Sequence, residues 1–131
     1  MKTKILMAMI GLALFAMTPA FGAETYPIKA QIPFQFTAGN KLLPAGEYEF
    51  RIQYENLTVT VTSSSKGSSV FVPFLTTLAA AQHSTATDAH LVFDKVGDAY
   101  TLSELWEPDA EGVLVHATKG KHEHQVVHVP R

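Results

Sequence analysis

The stretch "KHEHQVVH", Lys121 to His128, holds three of the six histidines in a chain of 131 residues, and His116 lies just upstream. Imidazole is the commonest side-chain ligand for zinc, copper and nickel, so the spacing decides what this segment can do. His122 and His124 stand at i and i+2. On a strand both rings project from one face, ~6.5–7 Å apart at the backbone. His128 shares that face, whereas Glu123 points to the other. In a helix, His124 and His128 at i and i+4 would pair instead. Two imidazoles fill half of a tetrahedral shell, so a third convergent ligand decides whether the face is a site. His116, on a neighbouring strand, is the candidate for that role. The spacing therefore gives His122, His124, His128 and His116 as the ligand set for a divalent ion such as Zn or Cu. The reading preferred over a metal site is an edge strand whose solvent face carries His, Glu and Gln, residues that discourage edge-to-edge pairing. Without a third ligand, such a face binds metal only weakly, and protons displace the ion as pH falls.

The rest of the chain offers less chemistry. Gly39, followed after four residues by Pro44-Ala45-Gly46, resembles a cupin turn, but Glu47, Tyr48 and Glu49 follow where a ligand histidine would stand. A β-turn between strands is the reading taken. Glu47 and Glu49 share a strand face at a spacing that roughly suits the ~6.5–9.5 Å of an inverting glycosidase pair. Both look the same way rather than across a cleft, so they read as solvated charges. Tyr26, Tyr48, Tyr54, Tyr100 and Trp106 include candidates for a sugar-stacking platform, yet Tyr48 and Trp106 fit the core pattern. No Gly-x-Ser-x-Gly elbow, phosphate loop or His-Glu-x-x-His occurs. Asn56-Leu57-Thr58 matches a glycosylation sequon, a short pattern that arises often by chance. No catalytic residue is assigned. The expected function is a non-enzymatic binding or structural module of the cell envelope, acting through a strand edge or a loop face. Metal binding is the second reading and hydrolysis a distant third.

The ends and the composition narrow the setting. Lys2 and Lys4 precede an apolar run of 13 residues, Ile5 to Met17, and Ala20-Phe21-Gly22 offers small residues for cleavage. That is the layout of a secretory signal peptide over residues 1–22. The run makes roughly 20 Å of helix, short of the ~30 Å hydrocarbon core of a bilayer. Cleavage leaves residues 23–131, enough for one domain and one core, with no membrane span in the mature form. The whole chain has a net charge of −2, which becomes −4 without Lys2 and Lys4. An acidic surface without a basic stripe argues against nucleic acid and against anionic membranes. There is no cysteine, hence no disulfide, no lipid-anchoring thiol and no thiolate metal site. The expected location is periplasmic or extracellular, with an envelope or extracellular partner of unknown identity.

The elements that must position any site read as strands throughout. Ile32, Phe34 and Phe36 alternate with Pro33 and Gln35, and the prolines place this segment at a sheet edge or at a break. Tyr48, Phe50 and Ile52 alternate with charges. Glu55-Asn56 turns the chain, and Leu57, Val59 and Val61 alternate with threonines, which predicts a hairpin. Val70 to Leu75 is apolar on both faces and is expected as a central strand. Leu78 to Gln82 could form a helical turn. His90 to Val96 and Ala99 to Trp106 flank Gly97-Asp98 as a second hairpin. Gly112 to Ala117 and His122 to Val129 complete seven or eight short strands. The expected fold is an all-β antiparallel sandwich or partly closed barrel. One register stays open: Glu104 either points inward with a partner, or a bulge shifts the alternation of Tyr100, Leu102 and Trp106.

The stretch "IPFQFTAGNKLLPAGEYEF", Ile32 to Phe50, and the later "HLVFDKVGDAYTLSELWEP", His90 to Pro108, carry a resemblance. They resemble a group of small exported proteins of soil bacteria with the pattern Ile-Pro-Phe-x-Phe, Leu-Pro-Ala-Gly-x-Tyr, Leu-Val-Phe and Ser-Glu-(aliphatic)-Trp. The resemblance implies an exported single-domain β protein without an assigned activity, and it supplies no site residues. The C-terminal "KGKHEHQVVHVPR" departs from the charged, helix-like tail of that group.

The N-terminal pattern has a direct test. N-terminal sequencing of protein exported by its host should find a first residue at or near Ala23. Recovery of an uncleaved, membrane-embedded form would overturn the reading.

Overall fold

The computed structural model describes residues 27–79, 88–108 and 111–129; the expected signal peptide and Tyr26 lie outside them. Eleven strands among these residues form two sheets. The first sheet has the order β1 (Pro27–Ile32), β4 (Gly46–Gln53), β5 (Thr58–Ser63), β6 (Ser69–Pro73), with every neighbour antiparallel. The second has the order β11 (Glu123–His128), β8 (His90–Val96), β9 (Ala99–Trp106), β10 (Gly112–Leu114), β7 (Thr76–Leu78). Its remaining two strands are β2 (Phe36–Ala38) and β3 (Lys41–Leu43). β2 pairs antiparallel with β3 and, at Thr37 and Thr101, parallel with β9. The fold is a β-sandwich and not a closed barrel. No helix among the described residues is long and apolar enough to cross a membrane.

Alternation builds the core. Ile28, Ala30 and Ile32 of β1, Tyr48, Phe50 and Ile52 of β4, and Val59 and Val61 of β5 are buried against Phe36, Leu91, Phe93, Leu102 and Leu105 of the other sheet. The period of two puts each set on one face, and burial of that face drives the two sheets together. Pro33 is where the chain changes sheets: β1 ends at Ile32 as an edge strand of the first sheet, and β2 starts at Phe36 in the second. Phe34, in that break, stacks on Tyr100 at 3.8 Å between ring centroids and packs at the margin of the core.

Several expectations need correction. β6 is an edge strand, not a central one: Val72 is buried, whereas Phe71 on the opposite face is 67 % exposed. Apolar residues on both faces were not enough to bury it, because no element among the described residues covers its outer face. Leu57 does not extend the alternation of β5. It sits in the turn with φ 54° and is exposed, as a left-handed turn position demands. Leu78 ends β7 rather than starting a helical turn, and residues 80–82 lie outside the described residues. β10 stops at Leu114, three residues short of the expected strand, and β11 starts at Glu123. Gly39-Asn40 turns β2 into β3, so the cupin-like fragment is a connection between strands.

The open register at Glu104 resolves as a bulge. Val92 pairs with Glu104 and Phe93 with Leu102, so Ser103 is the extra residue on β9. Leu102 and Leu105 thereby both enter the core despite their odd spacing. Glu104 and Trp106 fall on the outer face of the sheet, where the indole Nε1 donates to Glu104 Oε1 at 2.9 Å. Gly112 lies under that indole. A Cβ there would stand 2.5 Å from a ring carbon of Trp106, so only glycine permits the approach.

Two stability measurements follow. Phe50 is fully buried, and Phe50→Ala should cost about 3–5 kcal/mol in denaturant melts. A loss below about 1 kcal/mol would place it outside the core. Burial also raises the Glu107 carboxyl pKa above its ordinary value, and its Oε2 accepts no hydrogen bond among the described residues. A raised folded-state pKa favours folding while the group is protonated, and this contribution fades as pH rises through that value. Glu107→Gln should therefore raise the urea midpoint at pH 7 and leave it nearly unchanged near pH 4. An equal effect at both pH values would show that the carboxyl is not perturbed.

Candidate metal centre on the outer face of the second sheet

β8 is buried on both faces, which is unusual for a sandwich strand with a solvent side. Leu91 and Phe93 face the core. On the outer face, Val92 packs with Leu78, Trp106 and Leu114 in a second small cluster. The segment after β10 returns past β9 and β8 to reach β11. Val115 N–H donates to Ser103 O at 2.8 Å, and Ser103 Oγ to His116 O at 2.9 Å. Thr118 Oγ1 then donates to Asp94 Oδ2 at 2.7 Å. This covering leaves two polar outer-face residues of β8 inside: His90 is 5 % and Asp94 3 % exposed.

Asp94 is the centre of the arrangement. It stands directly opposite His124 in the β8–β11 ladder. Its Oδ2 is satisfied by Thr118, but its buried Oδ1 accepts no hydrogen bond and lies 3.2 Å from His124 Nδ1. Beside a protonated His124 this oxygen forms an ion pair, but beside a neutral ring it has given up water without a replacement. Gly120, with φ 86°, turns the chain just ahead of β11 in a conformation that a β-carbon would strain. His122 follows, and its Nδ1 is held 2.9 Å from the Gly120 carbonyl oxygen. With Nδ1–H donating there, Nε2 keeps its lone pair, the arrangement common to metal-ligating histidines. The rings of His122 and His124 are 5.0 Å apart, edge to face.

Asp94, His122 and His124 each offer one ligand atom, and the three atoms lie within 4.8 Å of one another. Around zinc with bonds of ~2.0–2.2 Å, tetrahedral ligand atoms stand about 3.4 Å apart. Small side-chain rotations close that gap, since His124 and Asp94 already approach within 3.2 Å.

The sequence reading therefore divides. His122 and His124 come together as the spacing suggested, although His122 precedes the strand rather than lying in it. His128 is not in the group: it stands opposite His90, with ring centroids 5.8 Å apart. His90 in turn stacks on Trp106 at 5.7 Å, nearly parallel. His116 is not in the group either; it sits in the returning segment, held through its backbone carbonyl. Glu123 pairs in register with Lys95 and is outside the group, as its strand position implies. Glu49 is taken up by Arg51 at 2.6 Å, a surface ion pair rather than half of a catalytic dyad.

Asp94 and Thr118 were missed. The available signal was the run "HLVFDKV", where one aspartate keeps phase with His90 and Val92 on a strand whose other residues demand burial. The partnership with His124 depends on which strand lies beside β8, which local pattern does not encode. No protein-family model, curated protein or solved structure matches the chain.

Proposed function

We propose that the mature protein is an exported, non-enzymatic binding module of the cell envelope whose ligand is a divalent transition-metal ion. Asp94, His122 and His124 hold the ion. The observation that carries this reading is the buried Asp94 carboxylate, whose Oδ1 accepts no hydrogen bond among the described residues and which converges with two imidazoles. A divalent cation would repay the desolvation that this oxygen has already suffered. Two nitrogens and one carboxylate oxygen suit zinc or copper. Export rests on the charged start, short apolar run and small-residue site of the N-terminal segment.

Calorimetric titration of tag-free protein with zinc and copper tests the ligand set. We expect one equivalent to bind with a dissociation constant at or below about 1 μM, worth about 8 kcal/mol. His122→Ala, His124→Ala and Asp94→Ala should each weaken binding at least tenfold, about 1.4 kcal/mol. His116→Ala and His128→Ala should leave it unchanged. Binding that depends on His128 or His116 but not on Asp94 would refute the assignment. Millimolar binding indifferent to all five would return the segment to an ordinary edge strand.

A further inference from the structure

Three protein ligands leave a four-coordinate ion one position short, and a position left open to solvent admits an exchangeable group. The surroundings of that position carry information about the group. A depression of about 480 Å³ opens beside His122, lined by Lys95, Val96, Gly97, Lys121, His122 and Glu123. It lies between the tip of the β8–β9 hairpin and the start of β11, so the candidate ligand His122 forms part of its wall. Lys121 is exposed, and Lys95 stands 5.8 Å from the ring centroid of Tyr100. Val96, 51 % exposed, adds an apolar patch to the same wall. Lys95, in register with Glu123 and Tyr100, is on the face of β8 opposite Asp94. With a divalent ion in place, the ion and Lys121 still outweigh Asp94 and Glu123, so the depression favours negative charge.

We infer that the metal site takes a small oxyanion, a carboxylate or a phosphate, as its exchangeable ligand. One oxygen fills the open coordination position, and Lys121 attracts the rest of the anion. This inference rests on the metal reading above. The ion gives a directional bond and Lys121 gives screened, exposed attraction, so the ion supplies most of the affinity. Lys121 is the more exposed cation, and no hydrogen bond or ion pair among the described residues holds its ammonium group.

The test uses cobalt(II) in place of zinc, because its visible bands report coordination directly. The full mature protein is loaded with cobalt and titrated separately with acetate and with inorganic phosphate. A saturable change in the cobalt bands with either anion supports the inference, and the anion that acts identifies the class. Lys121→Ala should weaken the effective anion about two- to fivefold, the range of an exposed ion pair, while His128→Ala should not. If cobalt develops its bands and neither anion changes them, the inference falls and the metal reading stands. If the bands respond but Lys121→Ala changes nothing, the lysine contribution falls. If cobalt does not bind at all, both readings fall together.

Discussion

Water is kept from both faces of β8, and the rest of the candidate site depends on that exclusion. The core side is closed by the opposing sheet, and the outer side by Trp106, Leu78, Leu114 and the segment returning to β11. On an ordinary sandwich strand the outer residues would be solvated, and an aspartate there would need no explanation. Here Asp94 is 3 % exposed, with Oδ2 hydrogen-bonded to Thr118 and Oδ1 facing only the His124 ring among the described residues. The low local polarisability that makes an orphaned oxygen expensive also strengthens its attraction for a cation. The cost of the placement and its attraction for a cation thus have one physical origin.

Much of the architecture was legible because it follows from periodicity. The alternation of Tyr48, Phe50 and Ile52 gave their inward direction, and Gly97-Asp98 gave the β8–β9 hairpin. Pro33 marked the break between β1 and β2, although not that the break carries the chain from one sheet to the other. Failures came where tertiary context ruled. Val70 to Leu75 reads as buried on both sides, yet no element among the described residues covers Phe71. Leu57 reads as the next step of an alternating strand, yet the turn claims it. At the site, the i, i+2 spacing found His122 and His124 because neighbours in sequence share local geometry. Asp94 comes from another strand, and only the order β11-β8 makes it their neighbour.

The sheet edges show how an exposed ladder is kept from pairing with other chains. β1 begins with Pro27 and turns Lys29 and Gln31 to solvent, and β6 ends with Pro73. β11 exposes Glu123, His124 and Gln125 in succession. Proline removes a donor and charge resists stacking, so each edge is a poor template for another strand. The histidine face serves this purpose whether or not it also binds an ion, which is why composition alone could not separate the two readings.

Asp94 and His122 lie far apart in sequence but side by side in space, and the chain contains no cysteine. An ion bridging them would close a loop of about 28 residues, worth about 3–4 kcal/mol on the chain-entropy account of covalent cross-links. Small exported domains often draw such a restraint from a disulfide. Here it would come from coordination, which a chelator undoes and a reductant does not. The durability of the C-terminal strand would then follow the supply of metal rather than the redox state of its surroundings.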